Sequence, residues 1–199
     1  ITCRDWSSDV CSSDLEKEIL KKILSQKTKI GNCIKQEGTN IYYRTSGGRY
    51  FKVITNYPTG STKEKSLIFD NKYTNSIGAI LSSNLYFWFY QIFSNNLDLR
   101  IYEIESFGFP IEKLDSDIIT KLENVYKIYL ENIEKNANIR QTKNYANINS
   151  FKEYKIYKSK HLIDQIDDLI CPLYGLNKEE TEFIKNYEIE YRLRDENDE

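Results

Sequence analysis

The chain has 199 residues, with 28 Lys and Arg against 30 Asp and Glu and a formal net charge of −2. That charge excludes whole-molecule steering toward nucleic acid and leaves only a local basic face for the purpose. No stretch approaches the roughly 18 apolar residues of a membrane-spanning helix, so no membrane partner is expected. Four cysteines without paired spacing supply neither a disulfide framework nor a zinc site, which points to a reduced, cytoplasmic protein.

At the N-terminus, Asp5 to Leu15 read Asp-Trp-Ser-Ser-Asp-Val-Cys-Ser-Ser-Asp-Leu and resemble one translated frame of a common sequencing adapter. Residues 1–15 are therefore expected to be a disordered artefact, with the natural chain beginning near Glu16 as the remainder of a longer protein. The absence of Met agrees with that expectation. Setting the segment aside removes Arg4 and the acids Asp5, Asp9 and Asp14, which brings the charge to zero, and leaves Cys33 and Cys171 as two buried thiols.

Ile19, Leu20 and Ile23 share one face of a helix predicted over 16–27, with Gly31-Asn32 as its stop. The β-branched and aromatic runs 41–44 and 50–55 flank Thr45-Ser46-Gly47-Gly48-Arg49 and predict a hairpin, followed by a turn over 56–65 and a strand over 66–69. Residues 74–95 repeat apolar side chains at helical steps, and Tyr86-Phe87-Trp88-Phe89-Tyr90 is an aromatic run expected in the core. Residues 99–104 alternate as a strand does, and Phe107-Gly108-Phe109-Pro110 ends it.

From Asp115 a long helix runs to about Asn136, with Ile118, Leu122, Val125, Tyr129 and Ile133 at near-heptad spacing that calls for a partner helix. The Asn-rich stretch 136–150 reads as an exposed connection. Two helices follow, over 160–173 and over 177–186, the second with Asn177 and Glu180 placed as a capping box, before an acidic tail at 195–199. The expected fold is α+β: a small β-sheet packed on an aromatic helix, then a long helix and a C-terminal helical pair. The expected division is 1–15, an α/β domain over 16–113, and a helical region over 114–199.

Catalytic motifs are missing from the sequence. The prolines Pro58, Pro110 and Pro172 are isolated, no Gly-rich loop opens a helix, and the single histidine, His161, stands at a helix start without a nucleophile motif. No catalytic residue, metal ligand or cofactor site is assigned. What remains is a basic cluster on two turns: Arg44, Arg49, Lys52, Ser61, Thr62, Lys63 and Lys65, with Gly47 and Gly48 permitting close backbone approach. Lys and Arg pair with phosphates, and an Arg fork can read a guanine edge. Taken alone, such a cluster on loops reads either as a solvated rim or as a nucleic-acid contact.

Three segments at these positions resemble the C-terminal target-recognition region of N6-adenine DNA methyltransferases from type II (Eco57I-like, type IIG) restriction-modification systems. They are Ile41 to Pro58; Ala79 to Tyr90 with Asp98-Leu99-Arg100 and Glu105-Ser106-Phe107; and Ile163 to Asp168, Tyr174-Gly175-Leu176 and Glu179 to Arg192. A departure occurs where Gly108-Phe109 intervene before Pro110. The resemblance implies that a missing upstream domain uses S-adenosylmethionine and flips the target adenine, while this region, holding no cofactor itself, docks on double-stranded DNA and selects the site, with Arg44 and Arg49 carrying most of the binding. The competing expectation is a helical and β protein-interaction scaffold of a defence system, with the helix 115–136 as its handle.

Overall fold

The computed structural model describes residues 14–46, 51–95, 98–140 and 151–193. The adapter-like residues 5–13, the turn residues Gly47, Gly48, Arg49 and Tyr50, most of the Asn-rich connection and the acidic tail lie outside the described residues.

Helix α1 spans Asp14–Leu24, so Asp14 and Leu15 are helical, not part of a disordered leader. Its buried stripe includes the expected Ile19, Leu20 and Ile23, and Lys22 ties it to Glu180 far along the chain at 2.6 and 2.7 Å. The helix stops earlier than Gly31-Asn32, which instead belong to a 3-10 turn over Ile30–Cys33. Strand β1 (Thr28–Lys29) precedes that turn.

The sheet is built around β2 (Ile34–Arg44), flanked by β3 (Ile54–Thr55) and β4 (Glu64–Phe69), both antiparallel to it. The expected hairpin is present, but its second strand is shorter than 50–55. Tyr42 faces Thr55 and Tyr43 faces Ile54, while Tyr43 also faces Lys65 on the other side. Alternation along β2 buries Ile41 and Tyr43 beside Leu67 and Phe69. A bulge between Ile34 and Thr39 centres on Gly38, whose φ of +144° and separation of 2.0 Å from an added Cβ to the Phe69 carbonyl oxygen require glycine.

The helical stretch after β4 divides into α2 (Thr74–Leu81) and α3 (Asn84–Phe93). Ser83 takes an extended conformation and its hydroxyl accepts the Tyr86 N–H at 3.0 Å, an N-cap that starts a new helix where a continuous one was expected. All five aromatics from Tyr86 to Tyr90 are buried. Phe107 packs edge-on against Tyr86 and Phe89 at 5.2 and 5.0 Å between centroids.

The strand expected over 99–104 is a helix, α4 (Ile101–Glu105). Leu99 and Ile104 are buried whereas Ile101 and Tyr102 are exposed, so the burial has no period of two. The Glu103 carboxylate turns back to accept the Arg100 N–H at 2.7 Å and fixes the helical turn. Next comes β5 (Gly108–Phe109), which pairs antiparallel with β1, Thr28 facing Phe109.

Helix α5 (Ser116–Lys135) starts as expected, Asp115 accepting the Ile118 N–H at 2.8 Å. Its buried positions, Ile119, Leu122, Tyr126, Tyr129, Leu130 and Ile133, form a broader stripe than a heptad seam, and Ile118 and Val125 are only half-buried. The partner helices for this face belong to the same chain: α2 and α6. Two short strands, β6 (Asn138–Arg140) and β7 (Phe151–Glu153), pair within the segment read as a plain connection. Helix α6 (Lys160–Tyr174) ends at Gly175 in a left-handed C-cap, and α7 (Lys178–Asn186) has the expected Asn177 and Glu180 capping box. A final short helix, α8 (Ile189–Arg192), was not foreseen. The architecture is α+β, and the buried core draws on residues from both sides of position 113.

Where α2 crosses α5, a Cβ on Gly78 would lie 2.6 Å from the Tyr126 ring and hydroxyl. Tyr126 is buried and its hydroxyl reaches the Ile54 carbonyl at 3.4 Å, so the ring has little room to retreat. Gly78→Ala improves helix propensity by about 1 kcal/mol, yet overpacking of about 1–3 kcal/mol opposes it. We expect the variant to be less stable than the parent in urea denaturation; equal or higher stability would show that the helices separate freely.

Candidate nucleic-acid interface

At the end of β2, Arg44 pairs across the ladder with Glu64, and its side chain is half-buried. The guanidinium donates through Nε and one terminal nitrogen to Thr59 Oγ1 at 3.2 and 3.1 Å, and through the other to the Lys152 carbonyl at 3.1 Å. It also lies 4.8 Å from the centre of the Tyr154 ring. Thr59 in turn gives its N–H to the Glu64 carboxylate at 2.8 Å, and its hydroxyl to the same oxygen. Arg44 is thus an internal clamp that ties the 56–63 turn and strand β7 to the sheet. Burial lowers its pKa against the opposing fields of Tyr154, Glu64 and Glu134, but a guanidinium stays charged.

Lys52 has a different fate. Lys52 lies inward, only 9% exposed, with Nζ 3.9 Å from the centre of the Tyr90 ring. Burial pushes its pKa down to about 8, against the favourable charges of Glu103 and Asp98. A buried ammonium over a ring, in the field of Glu103 and Asp98, is an internal charge, not a phosphate clamp.

Ser61, Thr62, Lys63 and Lys65 form an exposed corner leading into β4, Ser61 being the least open. The corner is hydrogen-bonded: the Ser61 carbonyl accepts the Glu64 N–H at 3.1 Å, the Ser61 hydroxyl accepts the Lys63 N–H at 3.2 Å, and Thr45 donates its N–H and hydroxyl to the Lys63 carbonyl at 2.8 and 3.0 Å. Among the described residues no salt bridge engages Lys63 or Lys65. Gly47, Gly48 and Arg49 lie outside the described residues, so the structure does not place them against this corner.

Strands β6 and β7 add cations that the sequence reading missed. The Arg44 contact to Lys152 brings this hairpin beside the end of the sheet. There Arg140 meets Glu153 at 2.6 Å, and Lys152 meets Glu134 at 2.7 Å. Tyr154 also donates to Glu134, at 2.5 Å. Burial would raise the Glu134 pKa, but the Lys152 and Tyr154 donors outweigh it and the net direction is down. No pattern announced the hairpin, because three-residue strands are too short for alternation to show.

A second polar cluster lies in the core. Asp167 of α6 is fully buried and accepts from the Asn84 N–H (3.1 Å), the Leu85 N–H (3.0 Å) and Asn84 Nδ2 (2.7 Å), so it caps α3 from outside its own helix. Burial raises its pKa to about 7 despite these donors. Asn84 Oδ1 accepts from Arg192 at 2.6 Å, and the Arg192 guanidinium packs 4.4 and 4.3 Å from the Phe51 and Phe87 ring centres. Burial lowers the Arg192 pKa to about 10, with Asp167 and Asp164 opposing.

Nothing here assembles a nucleophile. His161 is exposed on α6, Cys33 is half-buried instead of buried, and burial raises the thiol pKa of the buried Cys171 far above its usual value. Among the described residues no group of three or more His, Cys, Asp or Glu side chains is placed to hold a metal, and no helix is long and apolar enough to cross a membrane. Comparison of the chain with protein-family models, curated proteins and solved structures finds no match.

Proposed function

We propose that this chain recognises DNA, docking through the corner at Ser61 to Lys65 and the adjoining β6 and β7 hairpin. The observation that carries the reading is the pair of exposed lysines, Lys63 and Lys65, free of salt bridges among the described residues and held on a hydrogen-bonded corner. Arg140 and Lys152 lie on the neighbouring hairpin and can exchange their carboxylate partners for phosphates. Arg44 then acts as the brace that joins hairpin and sheet. In the finer reading suggested by the family resemblance, the region selects the site at which an S-adenosylmethionine-dependent domain methylates adenine.

The test is DNA affinity against salt for the full chain and for Lys63→Glu/Lys65→Glu. Each lost phosphate contact should lower the slope of log affinity against log salt by about one, so the double variant should lose about two and bind at least about tenfold more weakly at low salt. Its melting temperature should match the parent's, because both side chains are exposed. A parent that does not bind duplex DNA, or a variant with an unchanged slope, overturns the proposal.

A further inference from the structure

A groove of about 690 Å³ opens between the exit of β3, the start of α2 and one face of α5. It falls within the roughly 300–1,000 Å³ range of small-molecule sites. Its floor carries two carboxamides: Asn56 Nδ2 donates to Asn75 Oδ1 at 3.0 Å. That bond orients both groups and leaves Asn56 Oδ1 as an acceptor and Asn75 Nδ2 as a donor, neither with another partner among the described residues. An acceptor and a donor carried by two bonded carboxamides suit the donor and acceptor edge of a nucleobase, the edge a single Asn or Gln reads on adenine. Half-buried Tyr57 lines the same groove and supplies aromatic surface for a flat ring.

The charges on the α5 wall select further. Glu134 is paired with Lys152, but Glu123 and Glu131 still outnumber Lys127, so a phosphate entering the groove meets net repulsion. We infer that this groove binds an unphosphorylated nitrogen heterocycle of the nucleoside type, read by the Asn56 and Asn75 pair. The inference does not rest on the DNA-recognition reading, and its test contains no DNA.

The experiment titrates the full chain with adenosine, uridine, N6,N6-dimethyladenosine and adenosine 5′-monophosphate, following the side-chain amide signals of Asn56 and Asn75 by NMR. Adenosine or uridine should bind with a Kd on the order of 0.1–1 mM, as ordinary ligand efficiency gives for a ligand of this size. Dimethyladenosine, which lacks the edge donor, and the monophosphate should each bind at least about fivefold more weakly than adenosine. Asn75→Ala should weaken adenosine about tenfold, one hydrogen bond's worth. Because Asn75 stands in the first turn of α2, the exposed Glu131→Lys serves as a second variant, and it should raise monophosphate affinity relative to adenosine severalfold. No binding of adenosine or uridine up to about 10 mM overturns the inference. So does a monophosphate-to-adenosine ratio that Glu131→Lys leaves unchanged.

Discussion

Asp167→Ala is expected to lower the stability of the fold by about 3–5 kcal/mol, which for a chain of this size lowers the melting temperature by about 10 °C. The loss comes from three buried donors, the N–H groups of Asn84 and Leu85 and the Asn84 side-chain amide, that keep no acceptor once the carboxylate is gone. Asn84 is also the group that holds Arg192, so the docking of α8 should loosen with it. Asp167→Asn separates charge from hydrogen bonding. The Asp167 pKa rises from an ordinary 3.8 to about 7 in the folded protein, so the folded state binds the proton more tightly than the unfolded one. The proton-linked part of its stabilisation is therefore complete below pH 4 and disappears as the pH climbs to 7, while the three accepted hydrogen bonds remain. The parent should lose on the order of 3 kcal/mol relative to Asp167→Asn across that window. Parallel pH profiles for parent and Asn variant would mean that Asp167 titrates normally.

Glu103→Ala should be comparably damaging, at about 3–5 kcal/mol, because Glu103 is fully buried, accepts from the Arg100 N–H and the Ser94 hydroxyl, and offsets the buried Lys52. Adding Lys52→Met should restore part of the loss, since the lysine then no longer needs a counter-charge. The coupling in the double-mutant cycle should be about 1–3 kcal/mol, and strict additivity would sever Lys52 from Glu103. Lys52→Met alone is expected to be neutral or stabilising at pH 7. Its folded pKa of about 8 lies below the ordinary 10.5, so the parent gains stability as the pH rises from 8 to 10.5 and has lost that contribution below 8. The effect is on the order of 3 kcal/mol. The methionine variant should lack this rise.

Local chemistry made much of the helical framework legible. The cap at Asp115, the Asn177 and Glu180 box and the inward stripe of α1 all stand where the sequence placed them, because each depends on residues within one or two turns. The aromatic run of α3 was readable as core for a related reason: five consecutive rings cannot all face water at tolerable cost. Capping also explains the misreadings. Ser83 splits a continuous apolar repeat into α2 and α3, and Glu103 turns an alternating segment into α4, each through a hydrogen bond that apolar periodicity does not register.

The sequence by itself determined the α+β class, the starts of α2, α5, α6 and α7, and the presence of a basic cluster on two turns. Tertiary structure alone decided which of those cations face solvent. Arg44 finds its acceptor 108 residues away at Lys152, Lys52 finds Tyr90 and Glu103, and only Lys63 and Lys65 stay exposed and free of salt bridges among the described residues. Asp167 caps a helix 83 residues earlier, and Asn56 meets Asn75 across two elements. A side chain's charge is written in its residue type. Whether water, a ring or a distant carbonyl satisfies that charge depends on what the folded chain brings within about 3 Å, and desolvation then settles which role the group can play.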